Sequence, residues 1–430
     1  MKNIKQKSGI LLLVFFLSQA VLAQVDTAPF LENSRVYNPL DYGADSSGVS
    51  NSAPAFNAMI ADIGTNRQVE IFIPPGRFLL NNRVVFPIND NSSQYGLSIR
   101  GGGQDATEIQ VNNNDGGFFV NAATVSRLCI QMSDLSFVAL RTNITAAFEF
   151  AAANAEDPSC RQLNIENIYI TSPLHTSPNF FAYGLKVQNA WNPRFINVVI
   201  RKQGVYSDPV RHPDYGIYMQ NCRTPIIVDC NINKVKTAIY HGGTGSGARE
   251  GTLINAYLVN ADTGLDLQFR QKSDGAPLPG FHIDNSHIAY NVTGVNVVGV
   301  QQMNISHVLF YCGERGGSRW LNNGSAVANY DPVDVNLAYA ANVTIDHCLF
   351  VEPSSPRRRA VQISSDSGYI LLSGNQFNME GTAVYNQSTN SIACINSVFG
   401  GLGDDFSGGG SWLTRYTNLL SGTIVTNDLN

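Results

Sequence analysis

The clearest pattern in the chain is a short phrase of alternating apolar and polar residues that recurs eight times between Tyr183 and Tyr385. In each copy a small residue precedes an apolar residue, an outward polar residue and a second apolar residue. The copies are spaced 22 to 40 residues apart and lie at residues 183–189, 215–221, 237–240, 263–269, 293–298, 333–337, 359–363 and 382–386. Self-similarity at this spacing, with alternation inside each copy, is typical of a stacked β-solenoid in which each copy forms one coil.

A second phrase follows the first in nearly every coil and predicts two strands bent about a polar corner. The corner carries Asn, Ser, Asp or His, which can stack on the same position of the next coil. The copies lie at residues 164–170, 195–200, 281–288, 303–310, 343–350 and 392–399. Strands of neighbouring coils would pair in parallel, so apolar residues would form internal columns and outward residues would form surface columns.

These two phrases predict an all-β fold, a single-stranded right-handed parallel β-helix. We expect this domain to span residues 24–400, with a Gly-rich loop and terminal cap over 401–430. Variable spacing between the phrases means that loops of different length leave the coils. In a solenoid such loops commonly carry function.

The first 23 residues have the pattern of a secretory signal peptide. Lys2, Lys5 and Lys7 precede an apolar run over Ile10–Leu17, and small residues lead to a predicted cleavage after Ala23. Eight apolar residues in a row are too few to cross a bilayer. We therefore expect a secreted or periplasmic protein that has no membrane association after cleavage.

The net charge of the chain limits the classes of partner that it can bind. The formal net charge of −5 becomes −8 when the three lysines of the predicted signal peptide are removed. An acidic protein does not favour nucleic acid or other polyanions, so an anionic substrate would have to be held by local positive charge.

The cysteine content allows a disulfide. Seven cysteines are an odd number for an exported chain, and Cys222 and Cys230 lie close enough in one coil to form a disulfide.

Residues 37–109 closely resemble the start of the pectate-lyase-like β-helix superfamily, of the pectate lyase 3 type. The matching residues are Asp41-Tyr42-Gly43-Ala44, Gly48-Val49, the strand and turn at 71–78, and Leu97-Ser98-Ile99-Arg100-Gly101. Between them a helix is predicted around Ala55–Ile60, with Phe56, Met59 and Ile60 on one apolar face. Such a helix would close the open end of the solenoid and cover its strand edge.

The resemblance implies a right-handed β-helix in a polysaccharide-active protein. Proteins with this motif include polysaccharide lyases, glycoside hydrolases, uronate epimerases and phage tailspikes. The motif is therefore specific for the fold and much less specific for the chemistry.

Aligning the repeats in register predicts one outward column of polar and aromatic side chains. Its members are Lys186, Tyr218, Tyr240, Asp266, Asn296, Asn336, Gln362 and Tyr385. A parallel column, two residues further along each strand, carries Gln188, Gln220 and Gln268. Coils lie roughly 4.8 Å apart, so the distance from Lys186 to Asp266 is about 14 Å, enough for a few sugar rings.

The longest polar insertions flank the same central coils, at residues 201–214, 241–251 and 270–280. Basic, acidic and aromatic groups thus converge on one face of an acidic protein. We predict as catalytic residues Lys186, Tyr218, Tyr240, Asp266, His212 and Arg270. We predict as substrate-binding residues Gln188, Gln220, Gln268, Arg201, Lys202, Tyr206, Arg211, His241, Arg249 and Lys272.

The first expectation for function is a polysaccharide lyase that cleaves a uronate-containing, anionic polysaccharide by β-elimination. This reaction needs a cation beside the uronate carboxylate and groups that remove and return protons. Tyr218 or Tyr240 could carry the proton. A tyrosine with an ordinary pKa near 10 would need a neighbouring cation to act as base, and Lys186 or a loop arginine could supply it.

The first alternative is a glycoside hydrolase, which needs two carboxyl groups across the scissile bond. Asp266 could act with Glu250, Asp208 or Asp274 from the insertions. Further alternatives are a uronate epimerase and a non-catalytic carbohydrate-binding solenoid, in which Tyr218 and Tyr240 would be stacking platforms.

We expect no metal or cofactor to be required. Some β-helix lyases use Ca²⁺ held by clustered aspartates, and Asp262, Asp266 and Asp284 are the only group here that could do so. His287, His307 and His347 are predicted to stack at one corner as structural residues.

Overall fold

The computed structural model describes residues 35–66, 68–88, 95–122, 128–152, 160–173, 178–202, 213–243, 250–269, 278–312, 331–351, 358–379, 381–390 and 392–400, and the short strands within 406–425. These residues form a parallel β-helix, as the two sequence phrases predict. Its strands form three long sheets, which we number 1 to 3. In each central coil the chain passes through sheet 1, then sheet 2, then sheet 3.

Sheet 1 contains Val84–Pro87, Phe118–Ala122, Ile144–Ala152, Phe181–Gln188, Tyr215–Gln220, Thr237–Gly243, the second parts of Tyr257–Phe269 and His287–Val298, Val333–Ala338, Arg359–Ile363, Thr382–Asn386 and Phe406–Ser407. Nearly every strand in it pairs in parallel with the equivalent strands of the coils before and after. Sheet 1 includes all eight copies of the first sequence phrase.

Sheet 2 contains Arg35–Tyr37, Gln68–Ile73, Tyr95–Gly101, the first parts of Leu128–Ala139, Cys160–Thr171 and Pro193–Arg201, then Ile226–Val228, Gly251–Ile254, Leu278–Pro279, Phe281–Asp284, Val300–Ser306, Ala341–Asp346, Gly368–Ser373, Ile392–Ile395 and Trp412–Tyr416.

Sheet 3 contains Ser47–Asn51, Gly76–Leu80, Thr107–Val111, the second parts of Leu128–Ala139, Cys160–Thr171 and Pro193–Arg201, then Asn231–Asn233, the first parts of Tyr257–Phe269 and His287–Val298, then Leu309–Cys312, Leu349–Val351, Gln376–Asn378, Val398–Phe399 and Asn418–Leu420. The final strand, Thr423–Val425, pairs antiparallel with Asn418–Leu420.

The interior consists of the apolar columns that the alternation predicts. One column is aromatic: Phe310, Phe350, Phe377 and Phe399 stack in successive coils with nearly parallel rings and centroids 4.7 to 5.0 Å apart. All four rings are buried. Cys222 and Cys230 also fill the interior, where their thiols face the carbonyls of Val187 and Phe195, and no disulfide joins them.

The corner between sheets 2 and 3 is the predicted polar turn. Its residue adopts positive φ, which Asn and Asp tolerate better than other non-glycine residues. Corner residues with positive φ include Asp134, Asn167, Asn197, Asp229, Asn255, Asn285, His307, His347 and Asn396. Asn197 Nδ2 donates to Asn167 Oδ1 at 2.8 Å, and Asn167 Nδ2 donates to Asp134 Oδ1 at 3.0 Å, so the corners are linked between coils.

Two of the three predicted corner histidines stack there. The rings of His307 and His347 are nearly parallel, with centroids 5.5 Å apart. The prediction is wrong for His287, because Asn285 occupies the corner of that coil. His287 lies two residues later, in sheet 3, opposite Tyr257.

One α-helix, α1 (Ala53–Ile63), covers the N-terminal end of the solenoid. Its residues Phe56 and Met59 are fully buried, and the Phe56 ring packs against Phe78 and Phe118 at centroid distances of 6.3 and 5.5 Å. The predicted cap is confirmed and is longer than predicted. Pro54 suits the first turn because its missing N–H has no partner to lose there.

Several sequence expectations concern the ends of the chain. Residues 1–34, with the predicted signal peptide, lie outside the described residues. Strand pairing continues beyond residue 400, and the proposed boundary at 400 stays a prediction. Within the part of the chain that the structure describes, no helix is long and apolar enough to span a membrane.

One fully buried ion pair crosslinks two coils. Arg358 donates through Nε to Asp334 Oδ2 at 2.9 Å and through Nη2 to Asp334 Oδ1, and the Tyr290 hydroxyl donates to the same carboxylate at 2.6 Å. Arg358 and Asp334 are both 0 % exposed. Removing one partner of such a pair leaves an uncompensated buried charge.

We therefore predict that Arg358→Met lowers the free energy of unfolding by about 3 to 5 kcal/mol, measured by denaturant unfolding. The matched control is Arg100→Met, which removes an exposed arginine paired with Glu70 at 3.2 Å. Exposed pairs contribute at most about 1 kcal/mol. Equal losses in the two variants would contradict the structural role of the buried pair.

Candidate functional site

The outward column on sheet 1 has the predicted register. Lys186 pairs with Tyr218, Tyr218 with Tyr240, Tyr240 with Asp266 and Asp266 with Asn296. The column continues through Asn336, Gln362 and Tyr385. We call this row of side chains the sheet 1 column. Residues separated by 22 or more positions in the sequence are thus direct neighbours in space.

The sheet 1 column begins earlier than predicted, with Val85, Phe119 and Glu149. Glu149 is almost completely buried and accepts hydrogen bonds from two cations, from Lys186 Nζ at 3.0 Å and from Arg83. The Arg83 guanidinium lies over the Phe119 ring at 4.2 Å. Glu149 could have been found from the sequence, because residues 147–150 repeat the same small, apolar, polar, apolar phrase.

This ion pair changes the interpretation of Lys186. Its ammonium group is bound to the Glu149 carboxylate, and it also lies 5.5 Å from the centre of the Tyr183 ring. Glu149 therefore offsets the positive charge that Lys186 was expected to present to Tyr218.

Four tyrosines form a compact platform on sheet 1. The rings of Tyr218 and Tyr240 are stacked, with centroids 4.8 Å apart and planes 6° apart. Tyr183 and Tyr215 form a second stacked pair at 5.3 Å, and their rings meet the first pair edge to face. Burial, followed by the neighbouring tyrosines, raises the pKa of Tyr218 to about 12.

The glutamine column is also in register, with one gap. Gln188 pairs with Gln220, and Gly242 stands between Gln220 and Gln268. The Tyr218 hydroxyl and Gln188 Nε2 both donate to Gln220 Oε1, at 3.2 and 3.1 Å. The gap in the glutamine column at Gly242 has a steric reason, because a Cβ atom at this position would lie 2.5 Å from the Tyr240 hydroxyl.

Asp266 is the only carboxyl group in the sheet 1 column besides Glu149. Its Oδ1 atom accepts hydrogen bonds from Gln268 Nε2 at 2.7 Å and Asn296 Nδ2 at 2.8 Å. Burial raises the pKa of Asp266, and these two hydrogen bonds oppose the rise. A half-buried carboxyl group that holds its proton more tightly than usual is suited to act as a general acid.

Three predicted substrate-binding residues are not on this surface. Arg201 ends a strand of sheet 3, opposite Asn233. Lys202 is buried, with Nζ 5.8 Å from the centre of the Phe180 ring. His241 points into the coil, where its fully buried ring packs edge to face on Phe269. These three side chains therefore lie outside the sheet 1 column, and their role in substrate binding stays a prediction.

The remaining predicted site residues lie outside the described residues. They are Tyr206, Arg211, His212, Arg249, Arg270 and Lys272, together with the alternative carboxyl groups Asp208 and Asp274. Glu250 is described, but it lines an open groove on the side of sheet 2 with Thr252, His282 and Gln302. It does not belong to the sheet 1 column.

The three aspartates considered for Ca²⁺ do not form a group. Asp266 is on sheet 1, whereas Asp284 is on sheet 2, where it accepts a hydrogen bond from Ser306. Asp262 accepts a hydrogen bond from Asn291 near the start of the sheet 1 strand. Among the residues that the structure describes, no three or more His, Cys, Asp or Glu side chains are placed to hold a metal ion.

The sequence model of the family described as rhamnogalacturonase A/epimerase, pectate lyase-like, matches residues 36–273 of the 430-residue chain. This match covers more than half of the chain and includes Lys186, Tyr218, Tyr240 and Asp266. The chain belongs to this family. The resemblance that the N-terminal motif indicated is thereby confirmed, and it extends through the four coils of the candidate site. No curated protein matches the chain.

Solved structures share the fold of this rhamnogalacturonase A/epimerase family member. The catalytic domain of a GH87 α-1,3-glucanase in complex with nigerose has a TM-score of 0.57 and 12 % identity, and the match covers 92 % of this chain and 70 % of that one. The N-terminal fragment of bacteriophage Phi29 gene product 12 has a TM-score of 0.52 and 11 % identity, and covers 97 % and 76 %. At these identities the likeness concerns the fold alone.

The raised pKa of Tyr218 gives a prediction for alkaline titration. An ordinary tyrosine is half ionised near pH 10, whereas burial keeps Tyr218 protonated there. The difference in phenolate absorbance between the wild type and Tyr218→Phe should therefore stay near zero up to about pH 10. Half ionisation at or below that pH would contradict the buried hydroxyl and favour Tyr218 as a base.

Proposed function

We propose that this chain is a glycoside hydrolase that cleaves a polysaccharide bound along the sheet 1 column, with Asp266 as the proton donor. The family to which it belongs is polysaccharide-active. The observation that carries the proposal is the position of Asp266. It is a half-buried carboxyl group with a raised pKa, directly beside the stacked rings of Tyr218 and Tyr240.

The platform is suited to sugar rings. Tyr218 and Tyr240 offer aromatic surface at the centre of the column, and Gln188, Gln220 and Gln268 offer amide donors and acceptors beside it. Amphipathic aromatic groups next to a few placed polar groups are typical of binding sites for such ligands. A saccharide lying across these coils would place a glycosidic oxygen near Asp266.

The environment of Tyr218 weakens the case for β-elimination. A tyrosine base needs a lowered pKa, but burial raises the pKa of Tyr218 to about 12. The nearest cation in the column, Lys186, is engaged by Glu149. For these reasons we place hydrolysis before elimination, although the sequence patterns favour the reverse order.

A hydrolase needs a second carboxyl group about 5 to 9.5 Å from the first. Glu149 does not meet this need, because it lies four coils from Asp266, about 19 Å away at the usual coil spacing. Asp208 and Asp274, in insertions predicted to flank these coils, remain the candidates. Either one would act as base or nucleophile.

Elimination stays the second candidate because of charge at one end of the platform. Arg83 and Lys186 share the single carboxylate of Glu149, which leaves one net positive charge beside Tyr183. That charge could hold the carboxylate of a uronate. We further propose that the enzyme acts outside the cytoplasm, in accord with the predicted signal peptide.

One set of variants separates the two reactions. Asp266→Asn should lower the rate of cleavage by about 10²- to 10⁴-fold, the typical contribution of a positioned proton donor. Tyr218→Phe and Tyr240→Phe should keep most of the turnover, because they retain the aromatic surface. The assay scores new reducing ends and unsaturated uronate products separately on a panel of polyuronates and neutral polysaccharides.

Reducing ends without unsaturation are expected for the hydrolase. The proposal fails if both tyrosine variants lose most activity, Asp266→Asn retains it and the products are unsaturated. Circular dichroism of each variant checks that the fold is kept.

A further inference from the structure

A chain of side-chain hydrogen bonds extends from Asp266 along the sheet 1 column, away from the tyrosines. Asn296 Nδ2 donates to Asp266 Oδ1 at 2.8 Å, and Asn336 Nδ2 donates to Asn296 Oδ1 at 2.8 Å. Gln362 Nε2 then donates to Asn336 Oδ1 at 3.2 Å. The chain ends at Arg359, whose Nη1 donates to Gln362 Oε1 at 2.6 Å and whose guanidinium lies over the Tyr385 ring. Each amide lies one coil beyond the last.

The two ends of this chain impose the same direction on every bond. An ionised carboxylate can only accept hydrogen bonds, and a guanidinium can only donate them. Each of the three amides between them has one acceptor and one NH₂ donor group. Reversing any one of them would bring two donors or two acceptors face to face. All the amide dipoles therefore point their positive ends towards Asp266.

We propose that Arg359 is a positioning residue that acts on Asp266 through Asn296, Asn336 and Gln362. The ionised form of Asp266 requires the NH₂ group of Asn296 to face it. A protonated Asp266 could instead donate to Asn296, but only if all three amides reversed. Arg359 opposes the reversal, because Gln362 would then present its NH₂ group to the guanidinium. Arg359 thus favours the ionised form and limits how tightly Asp266 holds its proton.

The direct field of Arg359 has to be separated from transmission through the amides. The coil of Arg359 lies three steps from that of Asp266, about 14 Å away. Coulomb attraction over this distance changes a pKa by about 0.2 unit at the dielectric constant of water and by about 0.9 unit at an effective value of 20, before screening by salt lowers both figures. A direct field does not depend on Asn336, whereas transmission through the amides does, so a variant at Asn336 separates the two.

Among the described residues, few other side chains face Asp266. Tyr240 lies opposite it on the preceding coil, and Gln268 lies on the same strand. Burial, then the neighbouring tyrosines, then the charge of Asp266 raise the pKa of Tyr215. These groups are the same in all the variants below. The inference rests on the proposed function only for its catalytic meaning, since the ionisation of Asp266 can be measured without turnover.

The test is the pKa of the Asp266 carboxyl group, measured by NMR on the full chain with ¹³C-labelled aspartate in 0.15 M salt. The signal is assigned by its loss in Asp266→Asn. Arg359→Gln should raise the pKa by roughly 0.5 unit, a coupling typical of residues in one network. Asn336→Leu interrupts the chain of hydrogen bonds and should raise the pKa of Asp266 at least as much. Adding Arg359→Gln to Asn336→Leu should then change nothing further.

An unchanged pKa in Arg359→Gln overturns the proposal, and so does an effect of Arg359→Gln that persists when Asn336 is Leu. Gln362→Met also interrupts the chain of hydrogen bonds and leaves Arg359 in place. The proposal can therefore still be tested if one variant fails to fold. Arg100→Gln, which removes an exposed arginine on sheet 2, should leave the pKa unchanged.

Activity provides a separate readout. If Asp266 is the proton donor, the alkaline limb of the pH–rate profile of Arg359→Gln moves to higher pH by the same amount as the pKa of Asp266. A shift in the NMR titration without a shift in this limb would leave the coupling intact and refute the catalytic role of Asp266.

Discussion

Parallel pairing of equivalent strands in successive coils holds both the core and the candidate site in place. Each strand of sheet 1 hydrogen-bonds its counterpart in the next coil without a change of register from Lys186 to Asp266. The fixed coil spacing converts a repeat in the sequence into a straight row of side chains. A shift of one residue in any coil would turn its inward residues outward and break both the core and the candidate site.

The same constraint determines the electrostatics of the column. Side chains about 4.8 Å apart must pair or stack with the residues above and below them. Lys186 pairs with Glu149, Tyr218 stacks on Tyr240, and Asp266 accepts a hydrogen bond from Asn296. Among the described residues, Asp266 accepts hydrogen bonds from the amides of Gln268 and Asn296, whereas Glu149 pairs with two cations. Burial raises the pKa of Asp266, which suits this group to deliver a proton.

Much of the fold could be predicted from the sequence because a solenoid repeats one short-range pattern. The alternation in the first phrase gave the correct register for every member of the predicted column, and the corner residues identified the turn between sheets 2 and 3. His287 was misplaced because one corner uses Asn285 and so shifts the histidine into a strand.

The candidate site was less predictable. The eight predicted copies of the phrase begin at Tyr183, and an earlier copy at residues 147–150 contains Glu149. Lys186 is predicted to be an unpaired cation only when that earlier copy is left out. His241 and Lys202 lie next to insertions, and their burial depends on packing against Phe269 and Phe180. Such tertiary contacts have no short-range sequence signal. The amide chain to Arg359 likewise appears only when the coils are stacked.

The role of Asp266 as proton donor is tested most directly by a crystal structure of the Asp266→Asn variant with a bound oligosaccharide from a cleaved polymer. We expect sugar rings on Tyr218 and Tyr240 and a glycosidic oxygen within about 3 Å of the residue 266 side chain, the distance a proton donor requires. A saccharide bound in the groove of sheet 2, or one whose glycosidic oxygens all lie far from residue 266, would contradict this role.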